Sequence, residues 1–216
     1  MLTQKRRAVA RTISFVLLLA VIFAGLFTHK IISAKYPKIN KELFNGTLLD
    51  KPRAINDFHL QSTDNKEFSN VSLLGNWTMM FFGFTSCGYV CPTTMAELGK
   101  TYRLLEAKNS RVLPRVVMVT LDPDRDSLER LGQYVRAFDK NFTGARAEGS
   151  GLHALTKDLG IAYTKVVRSG AQANSRDDIE HTGAIMLFNP QAKLVAFFTG
   201  PHAADKIADD FMLLIK

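Results

Sequence analysis

The sequence has very little cysteine and no excess of glycine or proline. Its 216 residues include 2 cysteines, 14 glycines and 7 prolines. Two cysteines cannot hold together a disulfide-rich secreted scaffold, and this glycine and proline content excludes a collagen-like or low-complexity chain. With 46% hydrophobic and 22% charged residues, the composition instead predicts a globular fold built around an apolar core.

Acidic residues are absent from the first 35 positions, and this absence explains most of the net charge. The chain carries 28 Lys and Arg against 20 Asp and Glu, a formal net charge of +8. Six of the basic residues lie in residues 1–35, so residues 36–216 hold 22 basic and 20 acidic residues. Because a nearly neutral body has little attraction for phosphate, the charge balance argues against nucleic acid as a partner.

Charge is also absent from residues 12–28, a run of 17 mostly apolar residues. As an α-helix this run would span about 26 Å, close to the hydrocarbon thickness of a bilayer. Basic residues precede it at positions 5, 6, 7 and 11, and the positive-inside rule then keeps residues 1–11 in the cytoplasm. We therefore predict a single-pass protein of the bacterial inner membrane, with an anchor at 12–28 and its soluble domain in the periplasm.

Two alternatives to an anchor remain open. A signal peptide usually has a shorter apolar region of about 7–15 residues and a small-residue cleavage site, and Ile32-Ser33-Ala34 is a poor match to such a site. A mitochondrial presequence would suit the basic start, but the hydrophobic run follows it at once. With an anchor or a signal peptide the body is exported, and its thiols meet conditions in which disulfides form.

The remaining chain alternates predicted strands and helices. Residues 29–52 have little periodicity and are predicted to form a stalk in front of one domain at 53–216. Apolar runs predict central strands at 77–84 and 116–121. Other patterns predict two short strands around Asp64-Asn65, helices at 92–106, 126–138 and 151–159, a strand at 162–167, a polar loop at 168–180, a hairpin at 184–198 and a closing helix at 201–215. This order predicts an α/β domain with parallel central strands and an antiparallel edge.

Both cysteines follow the first central strand, where α/β sheets carry their functional sites. They form the sequence Cys87-Gly88-Tyr89-Val90-Cys91-Pro92, and a proline at the first helical position would make Cys91 the N-cap of the next helix. A helix N-terminus favours thiolate over thiol, and a thiolate is both a nucleophile and a metal ligand. A purely structural disulfide would close a loop worth only about 2 kcal/mol, and structural zinc would need more ligands.

Two thiolates and one imidazole form a soft, low-coordination set that suits Cu(I) and can adapt to Cu(II). Five histidines could supply the imidazole: His29, His59, His153, His181 and His202. His29 flanks the apolar run, and His59 is predicted to face solvent. His153 is predicted to lie on a polar helix, and His202 to begin the last helix. His181 lies directly before the strand of the hairpin, but position alone does not make it a ligand.

Three stretches together resemble the Sco/SenC copper proteins. They are FFGFTSCGYVCPTTMAEL (81–98), TLDPDRDSLERLGQYVRAF (120–138) and EHTGAIMLFNP (180–190). The layout is similar too, and the resemblance covers roughly residues 50–216. It implies a thioredoxin-like fold, with a central mixed sheet flanked by helices, behind one N-terminal transmembrane helix. It also implies copper bound by Cys87, Cys91 and His181.

One residue departs from the family pattern. Many members carry an acidic residue between the cysteines, as C-x-D-x-C, where this chain has Tyr89. The change removes a negative charge beside the expected metal and leaves all three ligands. It therefore bears on the pKa of the cysteines, the redox potential or the choice of partner rather than on binding.

Neighbouring acidic residues and methionines have simpler interpretations than a copper site. The charged residues after the second central strand predict helix capping and loop ion pairs, with Asp122 as an alternative contact near the site. Core packing is predicted for the methionines on the strands, because methionine commonly fills apolar cores. These residues are Asp122, Asp124, Arg125 and Asp126, and Met79, Met80, Met118 and Met186.

The resemblance implies a membrane-anchored metallochaperone that delivers copper to the copper A site during cytochrome c oxidase assembly. Its partner would be the copper-site subunit of that oxidase, with periplasmic copper chaperones or thiol reductants as further candidates. The main alternative is a thiol–disulfide oxidoreductase in which Cys87 and Cys91 are catalytic and cycle between dithiol and disulfide. The two functions are compatible, because copper delivery to cysteines requires those cysteines to be reduced.

Details of the motif limit the enzyme alternatives. The cysteines are spaced C-x-x-x-C rather than C-x-x-C, and His181-Thr182 stands where thioredoxins place a cis-proline. Both features argue against a general thioredoxin. A peroxidase of the thioredoxin superfamily is a third hypothesis, but its usual Pro-x-x-x-Thr-x-x-Cys context is missing, since Gly83-Phe84-Thr85-Ser86 precedes Cys87.

Overall fold

The computed structural model describes residues 15–17, 41–147, 150–166 and 179–215. The chain divides into two compact units, one of Met1–Ile39 with Lys216 and one of Asn40–Ile215, and all elements below belong to the second. The predicted anchor at 12–28 lies outside the described residues except for 15–17, which are helical. Within the described ranges, no helix combines the length and the hydrophobicity that crossing a membrane requires.

Short strands and five helices make up the second unit as far as it is described. Its strands are β1 (Thr47–Ala54), β2 (His59–Ser62), β3 (Glu67–Ser69), β4 (Thr78–Gly83), β5 (Arg115–Thr120), β6 (Thr143–Ala147), β7 (Tyr163–Lys165), β8 (Ile179–His181), β9 (Ile185–Phe188) and β10 (Lys193–Phe198). Its helices are α1 (Asn70–Leu73), α2 (Val90–Ala107), α3 (Leu128–Arg136), α4 (Gly151–Leu159) and α5 (Ala204–Leu214), and a 3-10 turn at Lys41–Leu43 precedes them.

A mixed sheet of eight strands forms the centre, in the order β1-β10-β9-β4-β5-β6-β2-β3. Strand β4 pairs in parallel with β5, and β5 in parallel with β6. The strands on either side pair antiparallel. Strands β7 and β8 form a separate antiparallel pair. The prediction of an α/β domain with parallel central strands and antiparallel edges is confirmed.

The central strand β4 is buried along its whole length. Its continuous apolar run fits a strand that is covered on both faces, and Met79, Met80, Phe81 and Phe82 are all 0% exposed. The four strand methionines are buried, as predicted for core residues. Because β4 and β5 are parallel, their C-terminal ends lie at the same edge of the sheet. The cysteine loop and the acidic segment at 122–126 therefore leave the sheet side by side.

The predicted stalk is wrong at its C-terminal end. Residues 47–52 belong to β1, which pairs with β10 at the edge of the sheet. Most side chains of β1 are exposed and none is buried, so the strand lacks the apolar alternation by which strands are predicted. Proline is tolerated on such an edge strand, and Pro52 lies within this one. The rest of the predicted stalk lies mainly outside the described residues.

Three further boundaries differ from prediction. The closing helix α5 begins at Ala204 rather than at residue 201, because Ala203 in front of it is extended, with φ −129° and ψ 119°. Strand β8 includes Ile179 and Glu180, which were predicted to lie in the polar loop. Helix α2 begins at Val90, with Tyr89 as its N-cap. The prediction that Cys91 is the N-cap is therefore wrong.

Candidate metal centre

The two cysteines lie where β4 leads into α2. Cys87 lies in the connecting loop and is partly exposed, whereas Cys91 is the second residue of α2 and is 0% exposed. No disulfide joins them. The backbone N–H of Cys91 donates to Cys87 Sγ at 3.3 Å. The free N–H groups of the first helical turn thus favour negative charge on the Cys87 sulfur.

A glycine at the end of β4 makes room for the buried sulfur. A Cβ atom built on Gly83 would lie 2.9 Å from Cys91 Sγ and 2.8 Å from the ring of Phe81. Any side chain at this position would displace the sulfur or the ring. Gly83 is therefore part of the site because only a residue without a side chain lets the Cys91 sulfur and the Phe81 ring lie this close to the backbone. Its position in the sequence did not reveal this role.

His181 reaches the cysteines from the separate pair of strands. It ends β8 and lies opposite Tyr163 of β7. Its Nε2 atom is 3.4 Å from Cys91 Sγ, and its Nδ1 atom is 3.2 Å from the carbonyl oxygen of Thr182. With the proton on Nδ1, the ring donates to that carbonyl and keeps the Nε2 lone pair directed at the sulfur.

Aromatic rings form the apolar side of the site. Phe84 and Phe81 meet the His181 ring edge-on, with centroid distances of 5.9 and 6.2 Å. Both phenylalanines are buried. They limit the rotation of the imidazole and keep water from that side of the sulfurs.

The three predicted ligands come together in space. One ligand atom each from Cys87, Cys91 and His181 lies within 4.8 Å of the others. Across the described residues, no other group of three or more His, Cys, Asp or Glu side chains could hold a metal ion in this way. Two sulfurs and one imidazole nitrogen beside apolar rings suit a soft ion of low coordination number, and Cu(I) is such an ion.

The two thiols differ sharply in acidity. A hydrogen bond from Cys91 lowers the pKa of Cys87 to about 4, and a hydrogen bond with His181 helps, although burial opposes both. The same hydrogen bond between the thiols, together with burial, raises the pKa of Cys91 far above its usual range. At neutral pH the pair therefore holds one thiolate, on Cys87, and one proton, on Cys91.

The other described histidines do not join the cysteines. His59 is exposed and pairs with Glu67 on β3, and His153 is exposed on α4. The prediction that His202 begins the last helix is wrong, because it precedes α5 and its Nε2 lies 2.7 Å from the carbonyl oxygen of Gly183. Burial lowers the pKa of His202, which favours the neutral ring. His29 lies outside the described residues.

The acidic segment after β5 serves two purposes. Asp122 is buried and pairs with Arg125, and Asp124 pairs with Lys165 at 3.0 Å. These contacts fit the predicted loop ion pairs. Asp126 was predicted to help open helix α3, but that helix is capped by Ser127 alone, whose Oγ accepts from the Arg130 N–H at 3.2 Å. Asp126 instead turns inward toward the cysteine loop.

Comparison with known proteins gives the family. The SCO1/SenC family model matches residues 47–216, which is most of the chain. The chain belongs to the SCO1/SenC family. This result confirms the resemblance, and it agrees with the thioredoxin-like fold predicted from it.

Relatives and solved structures of Sco proteins support the assignment. A Stutzerimonas stutzeri protein whose name refers to copper binding is 30% identical over 161 residues, covering 74% of this chain and 76% of that protein. Sco1 of Thermus thermophilus, solved without metal, has a TM-score of 0.68 and 28% identity over 79% of this chain and 97% of that one. Arabidopsis thaliana ScoI with copper bound has a TM-score of 0.66 and 25% identity, and the match covers 73% of this chain and 94% of that one.

The match does not extend over the whole of every relative. The chain spans about half the length of mitochondrial SCO proteins that it also matches, 56% of one and 46% of another. The range matched by the family model, residues 47–216, includes Cys87, Cys91 and His181.

Proposed function

We propose that this Sco protein binds one copper ion through Cys87 Sγ, Cys91 Sγ and His181 Nε2 and delivers it during cytochrome c oxidase assembly. The observation that carries the proposal is the convergence of these ligand atoms within 4.8 Å. The donor set suits Cu(I) and can adapt to Cu(II), and the related Arabidopsis protein holds copper in its solved structure. The recipient would be the copper A site in the copper-site subunit of the oxidase.

The unequal exposure of the ligands suggests an order of transfer. Cys87 is partly exposed, while Cys91 is fully buried. An incoming thiolate would meet the ion on the Cys87 side, and Cys87 would be the first ligand to be replaced. Binding of Cu(I) requires Cys91 to lose its proton, and release of the ion returns that proton. Apart from the S–H bond of Cys91, ligand exchange of this kind breaks no covalent bond in the protein.

We also propose that residues 12–28 anchor the protein in the inner membrane, with the copper domain in the periplasm. The support is the uncharged run with basic residues in front of it and the positive-inside rule. Such an anchor would keep the domain close to a membrane-bound oxidase. Periplasmic copper chaperones could supply the ion, and thiol reductants could keep the cysteines reduced.

The second candidate function is thiol–disulfide exchange. One feature of the site favours it, since the partly exposed thiol of Cys87, whose pKa is lowered to about 4, lies beside the buried thiol of Cys91, whose pKa is raised. The Cys87 thiolate would attack a partner disulfide and form a mixed disulfide. Cys91, after losing its proton, would then attack Cys87 Sγ and release the second partner thiolate. Two electrons pass from the cysteine pair to the partner, whose cysteines end up reduced.

An anaerobic Cu(I) titration of the reduced, detergent-solubilised chain against a competing chelator tests the proposal. We expect about one tightly bound copper per chain and loss of that binding in Cys87→Ser. His59→Ala, which removes an exposed histidine that does not join the cysteines, is the control. Negligible binding by wild type with free thiols would refute delivery. Reduction of a disulfide-bonded dicysteine peptide by the metal-free protein would then favour exchange.

A further inference from the structure

The buried carboxylate of Asp126 contacts the loop that carries Cys87, although Asp126 is not one of the proposed copper ligands. Asp126 is 0% exposed. Its Oδ2 atom accepts hydrogen bonds from the Thr85 backbone N–H at 3.0 Å and from the Thr120 hydroxyl at 2.6 Å, and its Oδ1 atom accepts from the Thr85 hydroxyl at 2.5 Å. In the described part of the chain, no ion pair includes Asp126.

A buried carboxylate is costly unless charge-assisted hydrogen bonds compensate for its lost hydration. Here two of the three hydrogen bonds come from Thr85, which lies two residues before Cys87. The third comes from Thr120, the last residue of β5. The carboxylate therefore joins the loop that carries Cys87 to the neighbouring strand of the central sheet.

Nearby contacts strengthen the same connection. The Thr120 hydroxyl also accepts from the Asp122 N–H at 3.0 Å, so its own orientation is fixed. The hydroxyl of Ser86, one residue before Cys87, accepts from Arg130 Nη2 of α3 at 3.0 Å. Both residues in front of Cys87 are thus held to the segment that follows β5.

We propose that Asp126 is a positioning residue for the copper site. It acts through Thr85, holding the loop so that Cys87 Sγ stays within reach of Cys91 Sγ and His181 Nε2. The inference rests on the copper binding proposed above for its first test, and the second test needs no metal. Groups that hold ligands in place commonly change metal affinity about 10- to 100-fold when they are removed.

The fold contains a matched control for the loss of a buried carboxylate. Asp210 of α5 is also 0% exposed. It accepts three hydrogen bonds as well, from the Asn45 N–H at 3.0 Å, Asn45 Nδ2 at 2.9 Å and the Gly46 N–H at 2.8 Å. These partners precede β1 and have no connection with the cysteine loop. Asp210→Ala therefore measures the general cost of such a loss.

The first test compares Cu(I) affinity in reduced full-length protein. We expect Asp126→Ala and Thr85→Val to weaken binding by at least about tenfold. Thr85→Ser, which keeps the hydroxyl, should bind Cu(I) with nearly wild-type affinity. Asp210→Ala should lower the thermal unfolding temperature and leave the affinity within about twofold of wild type. Equal losses of affinity in Asp126→Ala and Asp210→Ala would overturn the proposal.

The second test uses metal-free protein equilibrated with glutathione redox buffers. Cys87 and Cys91 form a disulfide as oxidised glutathione is reduced to two thiols, and the equilibrium constant depends on how the two sulfurs are placed. We expect the equilibrium constant to shift by at least about tenfold in Asp126→Ala and Thr85→Val, and not to shift in Asp210→Ala. If wild type bound no copper, the proposed function would fail, but a shifted equilibrium constant would still support the positioning role of Asp126. If Asp126→Ala did not fold, an unchanged equilibrium constant in Thr85→Val would overturn that role.

Discussion

The two halves of the candidate metal centre are supported very differently. The cysteine half grows out of the eight-stranded sheet, where Cys91 is fully buried and Asp126 holds the loop in front of Cys87. The histidine half depends on β7 and β8, two three-residue strands outside that sheet. His181 is itself partly exposed. One half is part of the core, and the other is a small attachment to it.

The difference in support determines how firmly each ligand is held. Short strands with few buried contacts open more easily than core strands. The sulfurs would therefore keep their places while the imidazole is the ligand whose position varies more. We expect the copper affinity of the proposed three-ligand site to depend strongly on this weaker half.

The largest effect should come from removing the histidine half altogether. We expect His181→Ala to weaken Cu(I) binding by more than about 100-fold, because losing a ligand costs more than losing a group that supports one. The fold should remain intact, since the side chain is partly exposed. Competition titration measures the affinity, and circular dichroism checks the fold.

The control for this variant is His59→Ala. His59 is exposed and contacts only Glu67 among the interactions described for its side chain. Its loss should leave copper affinity unchanged. An affinity in His181→Ala equal to that of wild type would remove His181 from the ligand set.

The second prediction concerns the pH dependence of the cysteine half. Because the pKa of Cys87 is lowered to about 4, its thiolate is already formed at pH 6. Its alkylation rate with iodoacetamide should change less than about twofold between pH 6 and 8, whereas an ordinary thiol becomes about 100-fold faster. The rate should fall only as the pH drops through the lowered pKa. Cys91, whose pKa is raised, should stay unmodified; mass spectrometry after timed quenching measures both rates.

Two variants would show how much each half of the site contributes to the lowered pKa of Cys87. The hydrogen bond from Cys91 is the larger cause of the lowered pKa of Cys87, and His181 contributes less. Cys91→Ala should therefore restore most of the ordinary pH dependence, and His181→Ala only part of it. A wild-type rate that rises tenfold per pH unit from 6 to 8, or equal alkylation of both cysteines, would show that the thiols are not unequal in this way.

The cysteine half could be predicted from sequence because its parts are close along the chain. A buried strand followed by Cys87, Cys91 and a proline places both thiols at a strand–helix junction. The error was a shift within the first turn of α2, since Pro92 is the third helical residue rather than the first. The inward turn of Asp126 was missed because Asp and Ser are both favoured N-caps, and the choice of Ser127 depends on Thr85 and Thr120 across the fold.

The histidine half could not be derived in this way. Position alone left several histidines as candidates, and the choice of His181 came from the family resemblance. Its place depends on the pairing of β8 with β7. A strand was predicted at 162–167, but β8 has only three residues and its first two fell in the predicted polar loop, so the pairing was not predicted. The edge strand β1 was missed for a related reason, since its exposed side chains show no alternation.

The smallest effect should come from loosening the histidine half without removing its ligand. The Thr182 hydroxyl accepts from the Ala162 N–H at 3.2 Å and lies 3.3 Å from the Ala162 carbonyl oxygen, while the Thr182 N–H donates to that oxygen at 2.9 Å. Thr182→Ala removes the hydroxyl and keeps the backbone bond. We expect Cu(I) affinity to fall by about tenfold, measured by the same competition titration.

Two variants make this last comparison decisive. Thr182→Ser keeps the hydroxyl and should bind copper like wild type, and Thr164→Ala changes an exposed threonine of the same strand pair without touching residue 182. A loss in Thr182→Ala as large as that in His181→Ala would mean that the hydroxyl alone holds the imidazole in place. No loss would mean that the backbone bond to Ala162 and the rings of Phe81 and Phe84 are sufficient, and the histidine half would then be firmer than its short strands indicate.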